Sequence, residues 1–566
     1  MQLPTLDLAI VLGYVALTVL AGLYFARRAT RSIEDYFVGG RSLPWWLAGT
    51  SMIASSFSID TPLGITGWVA SRGIKGVWFA WSFIIGGAGT FGTFIFAPLL
   101  RRSRIITTAE LIELRYSGRP AALLRGFKGV YFGILTMSIS MGWVIRSVLV
   151  LSQEALHWNA FWTLAAIMAL TLVYTAASGL WGVAATDFMQ FFVGGAGIVI
   201  LAVYAVGSVG GLDGLQQALV QHYGAAEAAS RLEFIPRPGS DFFLTFMVFI
   251  TLKWWGNPPS SMNQRIMSTK DERHATFSTL LFATVHFAIN YWPMILVALV
   301  SLVTYPDLPA RHAEYGYAKL MMDVLPTGVL GLVLAAQVAA FMSTIDSQVN
   351  TGASYMVNDI YRRFIHPEGD KKHFVRASQV SSLIMFGLAV GLSFAMTSVH
   401  EAWKYQANLI AGFGFVVVAR WFWWRLNAWS EMAALVGSAV GTVLTHHVLH
   451  VETFGWRFIL TAILSICSFI VVGAVTHPDP LPSLAEFCRK VKPYPWGWRP
   501  VREAYPDIEW SPNLPRNLLL WGVGTLSVFC VCFGLGNLLL GTGTAGIAML
   551  GVAAIFFVGL VRYWRP

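Results

Sequence analysis

Apolar stretches long enough to cross a membrane follow one another along almost the whole chain, from Leu6 to Trp564. A helix needs about 20 apolar residues to cross roughly 30 Å of hydrocarbon. The pattern therefore predicts an all-α integral membrane protein with about fifteen transmembrane helices. The predicted spans are 6–25, 45–70, 76–100, 121–153, 158–180, 182–208, 241–258, 271–304, 325–360, 372–398, 400–424, 430–450, 456–476, 516–540 and 543–562.

Composition supports this interpretation, because 56% of the 566 residues are hydrophobic and only 12% are charged. Such a balance excludes an ordinary water-soluble protein. The first span is not a cleavable signal peptide, since its basic residues Arg27 and Arg28 follow the apolar region instead of preceding it. The four cysteines show no metal-ligand spacing, and we expect no structural disulfide. They are Cys467, Cys488, Cys530 and Cys532.

The net charge of +10 indicates membrane orientation rather than nucleic-acid binding. Basic clusters follow the first, third and ninth spans and recur at 489–502, and alternate counting puts all of them on one side. By the positive-inside rule that side is cytoplasmic, so the N-terminus is outside and the C-terminus inside. The segments 209–240 and 305–324, of mixed charge, are then external loops. The proline-rich segment 477–515 is predicted to be a loop on the cytoplasmic face.

The sequence GGAGTFG at 86–92 satisfies the pattern of a dinucleotide-binding loop. It lies inside an apolar span, and no strand precedes it, whereas the nucleotide site requires a strand, a turn and a helix. We therefore expect these glycines to allow close packing of helices.

Polar residues interrupt the second span, WWLAGTSMIASSFSIDTPLGITGWVA. Between Ser55 and Pro62 it carries serines, a threonine and Asp60, and Pro62 lacks a backbone donor. This composition predicts a broken helix. Freed backbone carbonyls within a membrane are tolerated where they line a cavity, and there they suit a small hard cation.

A second polar interruption is FMSTIDSQ at 341–348. Ser343, Asp346 and Ser347 share one helical face, and Thr344 projects about 100° away from it. Oxygen ligands without histidine or cysteine favour a hard cation over a transition metal. The alternative is structural: the hydroxyls bond to carbonyls of the preceding turn, and Asp346 caps the helix or faces water.

Five motifs in this order resemble the sodium:solute symporter family, and in particular its sodium/glucose cotransporter-like members. They are IEDYFVGGRSLPWWLAG at 33–49, ASSFSIDTPLGITG at 54–67, SGLWGVAATDFMQ at 179–191, AAFMSTIDSQVNTGASYMVNDIYRRF at 339–364 and RWFWWRLNAWSE at 420–431. The resemblance implies a LeuT-like core of two inverted five-helix repeats at 31–208 and 209–429. An extra helix at 1–30 precedes it, and further helices at 430–566 follow.

The resemblance also implies where ligands bind. A first sodium is expected at the carbonyls of Ala54, Phe57 and Ala340 and the hydroxyls of Ser343 and Thr344. Some family members hold a second sodium at positions that correspond to Asp187, Ser343, Asp346 and Ser347; Asp346 either completes that site or braces the first. The solute is expected at Ser58, Asp60, Thr61, Lys253, Trp254, His286, Asn290 and Gln406. The alternative for Lys253 is an ion pair with Asp60, or a stem that reaches the nearby interface.

The implied function is secondary active transport, not catalysis: sodium-coupled symport of a small polar solute, a sugar or polyol, by alternating access at the inner (plasma) membrane. The implied ligands are sodium, the solute and lipid, without an organic cofactor, nucleic acid or obligate protein partner. Three alternatives stay open. The solute is an organic anion or amino acid, or the carrier is driven by protons through Asp187 or Asp346, or these two aspartates form an intramembrane aspartyl protease.

Overall fold

Helices make up every long segment of the computed structural model, and an isolated bridge between Leu43 and Thr269 is the one β-type pairing among the described residues. The structure describes residues 3–26, 38–105, 110–155, 158–159, 162–163, 165–166, 180–255, 261–309, 312–369, 371–396 and 398–564. Most of the predicted span 158–180 and the basic cluster 27–31 lie outside the described residues.

The helices run in one chain order that we number throughout. They are α1 Thr5–Ala26, α2 Trp45–Ser56, α3 Asp60–Arg72, α4 Ala97–Ser103, α5 Glu110–Arg115, α6 Gly118–Gln153, α7 Leu180–Ser208, α8 Gly211–Tyr223, α9 Ala225–Leu232, α10 Phe243–Thr251, α11 Ser261–Met267, α12 Glu272–Thr304, α13 Tyr315–Val324, α14 Val329–Ile365, α15 Lys371–Ala395, α16 Val399–Leu409, α17 Phe413–Phe422, α18 Ala428–Val443, α19 Phe454–Val475, α20 Leu481–Val491, α21 Arg499–Ala504, α22 Leu514–Leu540 and α23 Gly543–Tyr563. Shorter helical turns cover Ile74–Ile84 and Gly92–Phe96.

The helical architecture predicted from the apolar pattern is confirmed. In the described part of the chain, eight helices are long and apolar enough to cross a membrane by length and composition. Four shorter apolar helices accompany them, at Thr5–Thr18, Ile74–Ile84, Phe243–Trp255 and Phe413–Phe422. The number fifteen stays a prediction.

Helices also form inside segments predicted to be loops. The segment 209–240 contains α8 and α9, 305–324 contains α13, and 477–515 contains α20 and α21. In these segments, prolines and charged residues made the helical spacing of the apolar residues hard to recognise in the sequence. In α20, for example, Leu484, Phe487, Cys488 and Val491 recur at helical spacing and are all buried.

The broken helix α2–α3 is buried over most of its length. Its first half, α2, packs against α7, α12 and α14, whereas its second half, α3, packs against the second half of α12 and against α16. The two halves therefore contact different halves of α12, and otherwise they pack against different helices.

Close approach of backbones explains the glycine-rich segment at 86–92. A Cβ atom on Gly86 would lie 2.1 Å from the carbonyl oxygen of Trp254, and one on Gly92 would lie 1.9 Å from that of Gly87. These contacts agree with a packing role for the glycines.

Candidate functional site

The break in the second predicted span leaves backbone carbonyls without helical donors. Helix α2 ends at Ser56, and Phe57 adopts an extended conformation with φ −92° and ψ 118°. The Phe57 N–H still donates to Ile53, at 2.9 Å. The next donor in line, the N–H of Ser58, turns instead to the Thr61 hydroxyl at 3.2 Å. The carbonyl of Ala54 consequently loses its usual helical partner.

Thr344 on α14 faces this open end of α2. Its hydroxyl oxygen lies 3.4 Å from the carbonyl oxygen of Ser55 and 3.4 Å from that of Phe57. An ordinary O–H···O bond is about 2.7–2.8 Å long, so both contacts are loose. Oxygens at right angles around a calcium-sized hard cation, each about 2.4 Å from it, stand about 3.4 Å apart. The arrangement therefore has the spacing of ligands to a hard cation.

The hydroxyl of Ser343, the residue before Thr344, has a different partner. It donates to Oδ1 of Asp187 on α7 at 2.6 Å, and the Ser51 hydroxyl donates to Oδ2 of the same carboxylate at 2.5 Å. Asp187 thus ties α7 to α2 and to α14 through one buried carboxylate.

The Arg265 guanidinium completes this cluster. Its Nη2 donates to Asp187 Oδ2 at 3.2 Å and to the Ser347 hydroxyl at 2.9 Å, and its Nε donates to the Ser51 hydroxyl at 3.1 Å. The Arg265 and Asp187 side chains are both 1% exposed. Two of the positions considered for a second sodium, Asp187 and Ser347, are therefore in direct contact with a cationic side chain.

The two remaining predicted ion-site residues lie on the same helix. Ala340 precedes Thr344 by one helical turn, and Asp346 follows it by two residues. Both are buried.

A cavity of about 320 Å³ opens beside the break. Six residues predicted to bind the solute lie in its wall, and they come from α3, α12, α16 and the segments that adjoin α3 and α10. They are Ser58, Asp60, Thr61, Lys253, His286 and Gln406. A π-helical stretch at Ala283–Ile289 within α12 carries His286 and Phe287 of this wall. Such local widening of a helix is frequent at functional sites.

Two predicted solute residues, Trp254 and Asn290, do not line this cavity. The Trp254 ring instead stacks on Trp255 at a centroid distance of 4.2 Å and lies 5.6 Å from the ring of Phe91.

The wall also contains aromatic, amide and hydroxyl side chains that sequence reasoning missed. They are Phe79, Phe83, Ser140, Trp143, Phe287, Tyr291, Gln348 and Trp403. Trp403 and Gln406 are three residues apart, and Phe79 and Phe83 are four apart, so helical spacing from a neighbour was the available signal. Because aromatic residues occur in nearly every predicted span of this chain, that signal did not distinguish them from ordinary core residues.

Two charged groups face the cavity without an ion pair to each other. The Asp60 carboxylate interacts with the side chains of Ser58, Trp403 and Trp143. The Lys253 ammonium donates to the Phe79 carbonyl at 2.7 Å and to the Ser82 hydroxyl at 3.2 Å. It also lies 3.4 Å from the centroid of the Phe83 ring. Lys253 is 3% exposed, so protein encloses its side chain.

Comparisons with known proteins point to one protein family. The model of the sodium:solute symporter family matches residues 36–441. A sodium/mannose cotransporter of Bos taurus is 27% identical over 490 residues, which are 78% of this chain and 80% of the relative. A sodium/myo-inositol cotransporter 2 of Oryctolagus cuniculus is 24% identical over 425 residues, which are 68% of this chain and 60% of the relative.

A solved structure shares the fold. It is a Na⁺-coupled sialic acid symporter in a substrate-bound outward-open state, which superposes with a TM-score of 0.66 at 20% sequence identity. The match covers 84% of this chain and 99% of that protein. Since the family model spans well over half of the chain, this protein belongs to the sodium:solute symporter family.

Proposed function

We propose that this symporter couples the inward movement of sodium to the uptake of a small polar organic solute, a sugar or polyol, by alternating access. The observation that carries the proposal is the position of Thr344. Its hydroxyl faces the carbonyls of Ser55 and Phe57 at the open end of α2, directly beside the cavity. Ion and solute would then contact the same break in the helix.

The proposed sodium site is built from neutral oxygens alone. Such a site suits a weakly held monovalent cation, because nothing in it would retain a divalent ion strongly. The Ser55 carbonyl joins the ligands expected from the sequence. The proposed set is the carbonyls of Ala54, Ser55, Phe57 and Ala340 and the hydroxyls of Ser343 and Thr344.

Coupling follows from where these ligands lie. Half of them belong to the end of α2 and the others to α14, which are elements of the first and second proposed repeats. An ion that bridges the two elements favours the conformation in which they are close together. When the elements separate on the cytoplasmic side, the ligand set comes apart and the ion is released.

The cavity supports a sugar or polyol as the solute. Its volume of about 320 Å³ is at the lower end of the range for small-molecule sites. Aromatic faces of Trp143 and Trp403 and the polar groups of Asp60, Gln348 and Gln406 share its wall. Flat aromatic surfaces pack against the C–H faces of a sugar ring, while the polar groups bind its hydroxyls. The mannose and myo-inositol relatives support the same class.

We place the transporter in the inner (plasma) membrane with the N-terminus outside and the C-terminus in the cytoplasm. The basic clusters after the first, third and ninth predicted spans support this orientation. Sodium and solute would then enter from outside.

The test is the thermal stability of the purified full-length protein in sodium and in potassium, each across a range of pH. A ligand that binds the folded state raises the apparent melting temperature by mass action. We expect stabilisation by sodium and a further rise with one class of a panel of sugars, polyols, amino acids and organic acids. Equal stability in both salts at every pH would contradict sodium coupling and favour the proton-driven alternative through Asp187 or Asp346.

A further inference from the structure

The Arg265 side chain lies among the oxygens that would hold a second sodium. Of those oxygens, Asp187 Oδ2 and the Ser347 hydroxyl accept hydrogen bonds from the guanidinium, and the Ser343 hydroxyl donates a hydrogen bond to Asp187 Oδ1. A sodium ion that used this set would have to displace Arg265.

Displacement of Arg265 is opposed by its geometry and its anchorage. A guanidinium presents a fixed fork of donors and keeps its charge at every accessible pH, so it satisfies several acceptors at once. Its helix, α11, packs against α2, α4 and α14. Displacement by sodium would also leave the buried Arg265 guanidinium without its carboxylate partner, which is strongly unfavourable.

The buried charges around the cavity and around Asp187 also oppose the binding of a second sodium ion. In the described part of the chain, and with histidine counted as neutral, they comprise three carboxylates and two cations. They are Asp60, Asp187, Asp346, Lys253 and Arg265. With their ordinary charges they leave one net negative charge, and one sodium ion neutralises it. A second sodium would bury a net positive charge, which is costly in a low-dielectric interior.

We propose that Arg265 acts as a tethered cation in place of a second sodium, so that one sodium ion accompanies each uncharged solute molecule. This inference rests on the proposed sodium symport and specifies its stoichiometry. Asp187 is then a positioning residue for α2, α7 and α14 and not a ligand of a transported ion.

The experiment is equilibrium binding of radiolabelled sodium to the purified full-length protein, which requires no knowledge of the solute. We expect one ion per chain in the unmodified protein and one in Arg265→Lys, which keeps a cation in place. Arg265→Ala removes the cation and leaves the carboxylate and hydroxyls, so binding should rise to two ions per chain. The double variant Arg265→Ala with Asp187→Asn should return to one.

Arg273→Ala is the matched control, because Arg273 lies on the neighbouring helix α12, where its guanidinium packs over the Phe277 ring. It should bind one ion. Two ions in the unmodified protein would overturn the proposal, as would one ion in a folded Arg265→Ala variant. If Arg265→Ala does not fold, the numbers of sodium ions bound by the unmodified protein and by Arg265→Lys still test the proposal. Absence of sodium binding in the unmodified protein would instead contradict the proposed symport.

Discussion

At the scale of single residues, the candidate ion site depends on one hydroxyl of α14 that contacts the end of α2. Thr344 lies 3.4 Å from two carbonyl oxygens at the end of α2. A contact with a charged partner contributes about 1.5–3 kcal/mol. We expect Thr344→Ala to raise the sodium concentration for half-maximal stabilisation by about ten- to a hundredfold, since about 1.4 kcal/mol corresponds to tenfold.

The matched control is Ser354→Ala on the same helix. The Ser354 hydroxyl donates to the Thr351 carbonyl of the preceding turn, at 2.8 Å. Its sodium dependence should equal that of the unmodified protein. If Thr344→Ala showed the same sodium dependence as the unmodified protein in this thermal assay, Thr344 would not be a ligand of the ion.

Lys253 carries a second prediction, because it has no carboxylate partner in the described structure. A cation within a membrane protein costs on the order of 3 kcal/mol unless it is compensated. Carbonyl, hydroxyl and ring contacts offset only part of this cost. We expect Lys253→Met to raise the melting temperature and to lower solute uptake in proteoliposomes. A lower melting temperature would show that the ammonium stabilises the fold.

The cavity residues Asp60, Lys253 and His286 were predictable because polar groups in apolar spans are conspicuous. Arg265 was not, since it lies in a polar stretch between two predicted spans, where an arginine is ordinary. Only the tertiary packing of α11 against α2 and α14 buries it. The chemistry of single residues thus identified these members of the cavity wall, but it did not identify Arg265 as the partner of Asp187.

At the scale of elements, the packing of α3 on α16 depends on small residues of α3. A Cβ atom on Gly64 would lie 2.6 Å from the Trp403 ring, and one on Gly67 would lie 2.6 Å from His400 Nδ1. The Trp403 ring is itself stacked on Phe79 at 6.2 Å. The two helices can therefore approach this closely only because Gly64 and Gly67 have no side chains.

Gly64→Ala should hold α3 away from α16 and hinder closure over the solute. We expect the initial rate of uptake to fall by about tenfold or more while sodium still raises the melting temperature. Gly387→Ala on α15 is the control, because a Cβ atom there meets nothing within 4 Å. Normal uptake by Gly64→Ala would show that this contact does not take part in closure.

The amphipathic helix α20 gives a chemical prediction. Burial raises the pKa of the Cys488 thiol to about 12. Thiolate is the reactive form, and at pH 8 such a thiol contains less than about one part in a thousand of it. Cys488 should therefore resist maleimide in the folded protein, and reactivity should appear only as the pH rises towards 12 or on unfolding. Rapid labelling at pH 8 would show that α20 is not docked.

Glu486→Cys is the matched control for this labelling experiment. Residue 486 is exposed on the same helix, so the new thiol should react readily at pH 8. The comparison also shows why α20 was predicted as a loop. Its buried face becomes recognisable only once the helix docks on α4, α5 and α21.

At the scale of the whole molecule, one buried carboxylate joins helices distant in the sequence. Glu431 on α18 accepts hydrogen bonds from Lys128 on α6, from Arg420 on α17 and from the Tyr116 hydroxyl, the last at 2.6 Å. The Glu431 side chain is fully buried. Removal of one member of a buried ion pair costs about 3–5 kcal/mol, because the remaining charges are left uncompensated.

Glu431→Gln should therefore lower the melting temperature clearly. The matched control is Glu503→Gln, which removes an ion pair with Arg499 at the exposed surface. Exposed pairs contribute about 0–1 kcal/mol, so this variant should melt like the unmodified protein. Equal melting temperatures of both variants would show that the Glu431 cluster does not stabilise the assembly of α6, α17 and α18.

The Arg265 guanidinium also limits the concentrations that the transporter can reach. One sodium ion per cycle supplies about 1.4 kcal/mol from a tenfold gradient and about 2.3 kcal/mol from a potential of 100 mV. Together these amount to about 3.7 kcal/mol, or roughly a 500-fold accumulation of an uncharged solute. A carrier that moved two sodium ions per cycle would square that ratio, but it would use twice as much sodium. Arg265 thus suits the protein to surroundings in which its solute is moderately abundant, where low sodium consumption matters more than scavenging of traces.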